Sequence, residues 1–257
     1  MEKTLKPVSG YLALLVALLL LALSVYLFTL ADDVLIITLG IVAVAASLFL
    51  MKGLMIIQPN HSRVLLFFGK YMGSVKDNGL FFINPLYGTH KLSLRFQNLQ
   101  GQMLKVNDKM GNPIEIATVI VWQVSDTYKA AYEVAAFEEY VKIQSEAAVR
   151  HLASSLSYDS LEDEHAQITL RGGGDKVNEI LEIELNARLA PAGIVIREAR
   201  ISHLAYAPEI AGAMLQRQQA TAIVAARTKI VEGAVGMVEM ALEMLSRKQI
   251  VELDEER

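Results

Sequence analysis

The chain has 257 residues, 53% of them hydrophobic, and a formal net charge of -4. Lys, Arg, Asp and Glu are interspersed over its length, so no basic footprint for nucleic acid stands out and that class of partner is excluded. Cysteine is absent, which removes disulfides, thiolate metal sites and cysteine nucleophiles together.

Residues 11–30 and 34–57 form two apolar runs separated only by Ala31-Asp32-Asp33. The first holds no charged side chain and makes about 30 Å of helix, the thickness of a bilayer hydrocarbon core. The second carries only Lys52, close enough to its end to snorkel to the interface. A cleaved secretory signal has a shorter apolar region and no second span directly after it. The pair therefore predicts an integral membrane protein. Lys3 and Lys6 precede the first run and Lys52 closes the second, while the turn holds Asp32 and Asp33. By the positive-inside rule both ends are expected in the cytoplasm. No proline lies between Pro7 and Pro59, which favours two full spans over a shallow re-entrant hairpin. Ala13/Ala17 and Ala43/Ser47 have the spacing that lets helices approach closely, although alanine-rich runs also produce it by coincidence.

Beyond Pro59 the pattern changes to short strands. They are expected at 63–68, ending at Gly69-Lys70, at 80–83 after Asn78-Gly79, and at 91–96 with Leu92, Leu94 and Phe96 on one face. Asp108-Lys109-Met110-Gly111-Asn112-Pro113 reads as a turn before the longest strand, 114–124. In that strand Ile114, Ile116, Ile120, Trp122 and Val124 share one parity, and Glu115 gives way to Val119 and Val121 on the other. It is expected to start half-exposed and to become buried on both faces.

Helical spacing then takes over. Phe137, Tyr140, Val141, Ala148 and Leu152 fall on one face of residues 136–155, opposite Glu138, Glu139, Lys142 and Glu146. A second helix is predicted after Gly172-Gly173-Gly174 with Asp175 as N-cap, turning Val177, Ile180, Leu181, Leu185 and Leu189 inward until Pro191-Ala192-Gly193. Residues 194–201 read as a strand, and Pro208 opens a last helix reaching about Leu245. Strands first, then helices covering them with one late strand, indicate an α+β domain.

Gln58-Pro59-Asn60, Phe68-Gly69-Lys70, Gly79-Leu80-Phe81-Phe82, Asn84-Pro85-Leu86, Leu94-Arg95 and the 108–114 turn follow one another in order. Later come Ala130-Ala131-Tyr132, Arg150, Ala190-Pro191-Ala192-Gly193-Ile194, and Leu204-Ala205-Tyr206-Ala207-Pro208-Glu209-Ile210 leading to Met214 and Gln218-Gln219-Ala220. In this order and spacing over residues 58–227 the chain resembles the SPFH domain proteins: stomatins, prohibitins and flotillins. The resemblance implies a membrane-tethered scaffold that assembles into large rings or domes, organises a membrane microdomain, and regulates membrane proteases or transporters. Two departures stand out. Arg171-Gly172-Gly173-Gly174-Asp175 interrupts what is usually unbroken helix in the family, and the terminal helix is shorter than the coiled coils of flotillins and prohibitins.

The expected division is a tail at 1–10, a transmembrane helical hairpin at 11–57, the SPFH domain at 58–207 and an association helix at 208–257. In the last segment Ile210, Met214, Arg217, Thr221, Val224, Thr228, Val231, Val235, Val238, Leu242 and Leu245 recur at alternating spacings of four and three, a coiled-coil repeat with Arg217 as its polar interruption. Two readings are open: a helix packed on its own domain, or helix-to-helix association between neighbouring subunits. The second is preferred, although Gly233 and Gly236 would weaken a free-standing helix. The sequence ends in Asp254-Glu255-Glu256-Arg257 without a terminating signal, so further residues are expected after it.

Catalytic, cofactor and metal sites are all expected to be absent. His165 follows Glu162-Asp163-Glu164, but no second histidine stands at helical spacing, and a solvated acidic loop is the better reading. His151 beside an apolar helix face reads as a surface or capping residue, and His61, His90 and His203 are isolated. The Gly172-Gly173-Gly174 loop lacks the Lys and Ser/Thr of a phosphate loop, and no serine-nucleophile signature occurs. A scaffold accounts for the anchor, the missing catalytic groups and the patterned helix. An accessory subunit of a transporter or channel is the alternative, weakened because neither span has an ionisable residue near its centre; a hydrolase lacks a nucleophile and base. The partners expected are membrane lipids, further copies of the chain and a membrane protease, at an inner cell membrane crossed more than once.

Overall fold

The computed structural model describes residues 2–30, 33–159 and 168–247. After a short strand β1 (Val8–Ser9), helix α1 (Gly10–Thr29) runs antiparallel to α2 (Val34–Lys52). Between them lie small residues, Ala13, Ala17 and Ser24 of α1 against Gly40, Ala43 and Ser47 of α2, all buried. Ser47 donates its hydroxyl to the carbonyl of Ala17 at 2.9 Å, and the Phe28 ring comes within 3.0 Å of where a Cβ on Gly40 would sit. The close-approach reading of Ala13/Ala17 and Ala43/Ser47 is thus the correct one of the two.

The second apolar run does not remain helical to residue 57. Gly53 caps α2, and Leu54–Ile57 becomes strand β2. Hydropathy cannot separate the two because Met55 and Ile57 are apolar for a different reason: they enter a small core with Leu65 and Val75, joined by Met72, Phe81, Ile83 and Tyr87. That core belongs to a module built from β2, β3 (His61–Phe67), β4 (Lys70–Val75), β5 (Gly79–Phe82) and β6 (Gly88–Ser93). Its antiparallel sheets are ordered β1-β5-β2 and β4-β3-β6. The strand expected at 91–96 is therefore shifted back, because its register is set by pairing Ser62 with Leu92 and Leu66 with Gly88 rather than by alternation.

A third sheet holds the main core. Strand β7 (Gln97–Gln100) and strand β8 (Leu104–Asn107) both pair with β9 (Pro113–Val124), whose other edge carries β10 (Ile194–Tyr206). A six-residue helix α3 (Thr127–Tyr132) follows β9, with the Asp126 side chain accepting from the amides of Tyr128 and Lys129 as N-cap. Helices α4 (Phe137–Ser155) and α5 (Gly174–Leu189) lie on the sheet. Val141, Ala148, Leu152, Val177, Leu181, Leu185 and Leu189 meet Ile114, Ile116, Ile120, Trp122 and Ile194, all buried. Ile180 is exposed instead, because it sits one residue off the Val177–Leu181–Leu185 row. The outer face of β9 stays half-buried along its whole length, since α4 and α5 cover only one side. The N-cap of α5 is Gly173, and Asp175 lies inside the first turn, where it favours the helix dipole. His165 and Asp254-Glu255-Glu256-Arg257 lie outside the described residues.

The turn before β9 is tied down by a buried carboxylate. Asp108 Oδ1 accepts from the amides of Met110 (2.9 Å) and Asn112 (2.8 Å), and Oδ2 accepts from the amide of Tyr158 (3.2 Å) just past α4. Gly111 supplies the left-handed residue there, with φ +88°. Last comes α6 (Pro208–Arg247), a single helix of 40 residues.

Leu152 is completely buried between α4 and the sheet. Leu152→Ala should cost about 2–5 kcal/mol. Unfolding of the detergent-solubilised chain, followed by the emission of Trp122, its one tryptophan, measures the loss.

Candidate membrane and assembly surfaces

The outward faces of α1 and α2 are apolar. Leu12, Leu15, Leu19, Leu35, Ile41 and Phe49 are all exposed, while Ala13, Ala17, Ser24, Gly40, Ala43 and Ser47 are turned inward. This inverts the order of a water-facing helix pair and suits a lipid environment. Both helices are long and apolar enough to cross a bilayer, and only 17% and 11% of their most apolar windows are buried within the protein.

The segment before α1 is held by the domain that follows α2. Ser74 N donates to Lys3 O (2.7 Å), Leu5 N donates to Ser74 O (3.0 Å), and Val8 and Ser9 pair with Phe82 and Phe81. Gly73 makes room for this strap: a Cβ there would lie 2.7 Å from the Leu5 side chain. At its tip Glu2 Oε1 accepts from the Thr127 hydroxyl (2.6 Å) and amide (3.2 Å), and Oε2 accepts from Lys76 Nζ (2.8 Å). Partial burial pushes the Glu2 carboxyl up, but the hydrogen bonds from Lys76 and Thr127 outweigh it and hold the group below the ordinary carboxylate value. The residues before α1 and after α2 consequently meet at one end of the hairpin, the geometry expected if they share one side of a membrane.

Among the described residues, helix α6 is held by the domain in its first third. Ala207 N donates to Pro113 O (2.9 Å), Glu209 pairs with Lys105, and Gln218 reaches Asp159 at 3.5 Å. The hydrogen bond from Lys105 holds the fully exposed Glu209 carboxyl below its ordinary range. No residue of α6 is buried, so it does not fold back on its own sheet. The eleven repeat positions are placed along it as follows. Ile210 and Met214 are half-buried near the anchor, and Arg217, Thr221, Val224, Thr228, Val231, Val235, Val238, Leu242 and Leu245 are exposed. A second row escaped the sequence reading. Ile223, Ile230, Met237 and Met244 recur every seven residues and are exposed too, with Ile230 at 72%. Each immediately precedes a residue of the first row and so lies about 100° around the helix from it. Its signal was present in the sequence as an independent seven-residue spacing of large apolar side chains.

Four of the five histidines fall within the described residues. His151 Nδ1 pairs with Glu184, which also takes Arg188 at 2.8 Å, on the surface of α4 and α5. His61 Nδ1 lies 3.1 Å from Pro59 O, and His90 and His203 are exposed strand residues. Among the described residues no group of three or more His, Cys, Asp and Glu side chains could hold a metal ion.

Against this architecture, the sequence profile of the SPFH domain / Band 7 family matches residues 55–234. No curated protein matches the chain. The matched region begins inside β2 and ends within α6.

The Glu2 contact has a pH signature. Its contribution is present above the ordinary carboxylate value of 4.5 and fades as pH falls through the lowered folded value. Protection of the Leu5 and Thr127 amides, taken relative to their intrinsic exchange rate, should therefore be high at neutral pH and fall as pH drops through that lowered value. Glu2→Gln should make both amides exchange faster already at neutral pH, as read by hydrogen-exchange mass spectrometry.

Proposed function

Because the chain belongs to the SPFH domain / Band 7 family, we propose that it is a membrane-anchored scaffold that closes into a large ring or dome of identical subunits. The assembly encloses a patch of membrane and regulates the membrane proteins within it, foremost a membrane protease or its substrates. The family is generally non-enzymatic, self-assembling and membrane-associated. In this reading α1 and α2 cross an inner cell membrane as a hairpin, with the strap, the domain and α6 all cytoplasmic.

The observation that carries the proposal is a helix of 40 residues without one buried side chain. Such a helix spans about 60 Å, and the large apolar side chains it exposes between Ile223 and Leu245 make a surface that marks an interface. Gly233 and Gly236 cost a free helix about 1 kcal/mol each, so packing by neighbours is needed to hold it. One coiled-coil row would serve a pair. Two rows about 100° apart give every helix a neighbour on each side, and a head-to-tail contact of this kind generates rings when its rotation closes. Two membrane helices per subunit then give the closed assembly many anchors, so that weak individual contacts with clients add to tight retention.

Val231 and Val238 are exposed in the single chain, at 61% and 59%, so replacing both by Asp leaves the subunit fold intact. In an assembled seam each unpaired buried carboxylate costs several kcal/mol. The V231D/V238D variant should run as small species on a native gel with unchanged Trp122 emission, whereas particles of undiminished size would refute the seam. Alkaline phosphatase fused after Arg257 should be inactive; activity there would reverse the orientation. Clients should co-purify at well below one per subunit. Hydrolysis of a peptide, ester or nucleotide that disappears on point substitution would overturn the scaffold reading.

A further inference from the structure

Three of the chain's ten methionines, Met237, Met240 and Met244, fall within eight residues. Met240 stands three residues after the first and four before the last, so on α6 the three thioethers share one strip about 60° wide. They form the C-terminal end of the row that begins with Ile223 and Ile230. All three are exposed, at 62%, 54% and 63%. At the same level the other row holds Val238, Leu242 and Leu245, whose side chains are hydrocarbon only. In this part of the helix sulfur is confined to one of the two faces by which α6 meets its neighbours in the proposed assembly.

A thioether packs much as leucine does, being flexible, polarisable and without a strong hydrogen-bonding group. Its chemistry is different. A hydroperoxide transfers one oxygen atom to the sulfur: the O–O bond breaks, an S–O bond forms, the sulfur gives up two electrons, and the peroxide leaves as an alcohol or water. The product is a polar, chiral sulfoxide, whose oxygen is costly to bury without a hydrogen-bond donor. On the same strip Gly233 and Ala241 offer no side-chain donor, and nor do Val235, Val238, Leu242 and Leu245 of the other row. The chain has no cysteine. No thiol can therefore take up an oxidant in place of these sulfurs, and methionine is the chain's route to an oxidation that reductases reverse.

We propose that Met237, Met240 and Met244 are oxidation sites that control assembly: a hydroperoxide converts them to sulfoxides on a free or exchanging subunit, and the oxidised helix no longer packs against its neighbour. The inference rests on the proposed ring and adds its regulation. In a ring every joint uses this row of one helix, so three sulfoxides on it weaken all joints alike. The main core contains no methionine, so the domain withstands the same treatment. Reduction of the sulfoxides restores the row.

The test uses the full chain, taken to small species in a harsh detergent, treated with dilute hydrogen peroxide, freed of it and returned to a mild detergent. Peptide mass spectrometry reads a gain of about 16 Da at each converted methionine, and a native gel reads particle size. Untreated chain should return to large particles. Chain carrying all three sulfoxides should stay several-fold smaller with unchanged emission from the buried Trp122, and should recover its size after treatment with methionine sulfoxide reductases. The M237L/M240L/M244L variant keeps the volume of the row and should form large particles with or without peroxide. Large particles from chain carrying all three sulfoxides would overturn the proposal and leave the ring in place. So would loss of large particles from the peroxide-treated M237L/M240L/M244L variant, since the sensitive sulfur would then lie elsewhere. Untreated chain that forms no large particle at all would overturn the ring and its regulation together.

Discussion

Residue pairs from Ile194 with Val124 at one end to Tyr206 with Ile114 at the other tie β9 and β10 into a ribbon about 40 Å long, and each end of it is an attachment point. At the first end Gly193, left-handed at φ +67°, accepts the amides of Ser125 and Asp126 through its carbonyl. A Cβ on Gly193 would lie 2.5 Å from Asp126 O, so only glycine permits this crossing. Asp126 caps α3, and Glu2 of the strap lands on Thr127. At the far end Ala207 bonds Pro113 and the chain turns into α6. The ladder thus holds the start of α6 at the opposite end from the strap and the pair of apolar helices. Register shifts between Ile196 and Glu198 and between Ile201 and His203 add twist to it.

One face of that ribbon carries the main core. Helices α4 and α5 bury a continuous apolar layer against it, and Asp108 joins the turn before β9 to the segment after α4. A buried carboxylate would be costly alone. Here three backbone amides, those of Met110, Asn112 and Tyr158, satisfy it. The aromatic pair Tyr158 and Tyr206, 3.9 Å between ring centroids, closes the same corner where β10 gives way to α6.

Elements whose own residues carry a strong period were legible in the sequence: both apolar helices, β9, α4, α5 and α6 appear close to where periodicity put them. Elements held by partners rather than by pattern were not. Strands β7 and β8 contain Gln97, Asn98, Gln100 and Lys105 and exist because β9 offers them a ladder. Strand β1 is two residues long and depends on β5, and β2 was concealed because a strand feeding a buried core and a membrane helix can be equally apolar. Of the assembly surface, the row through Val224 and Val238 could be read from spacing, while the row through Ile230 and Met237 was masked by the first match.

The strap has a consequence for how the chain acquires its shape. Leu5 precedes α1, yet its partner Ser74 and the glycine that accommodates it follow α2, and the contact from Glu2 to Thr127 closes a loop of 125 residues. Contacts this distant in sequence form late and cannot guide the early steps. The pairing of Leu5 with Ser74 therefore waits for β4, and the contact of Glu2 with Thr127 waits until β9 has been made. If α1 and α2 cross a membrane as proposed, a chain that inserts α1 in the wrong direction would leave the strap across it from Gly73, with no route to the native sheet.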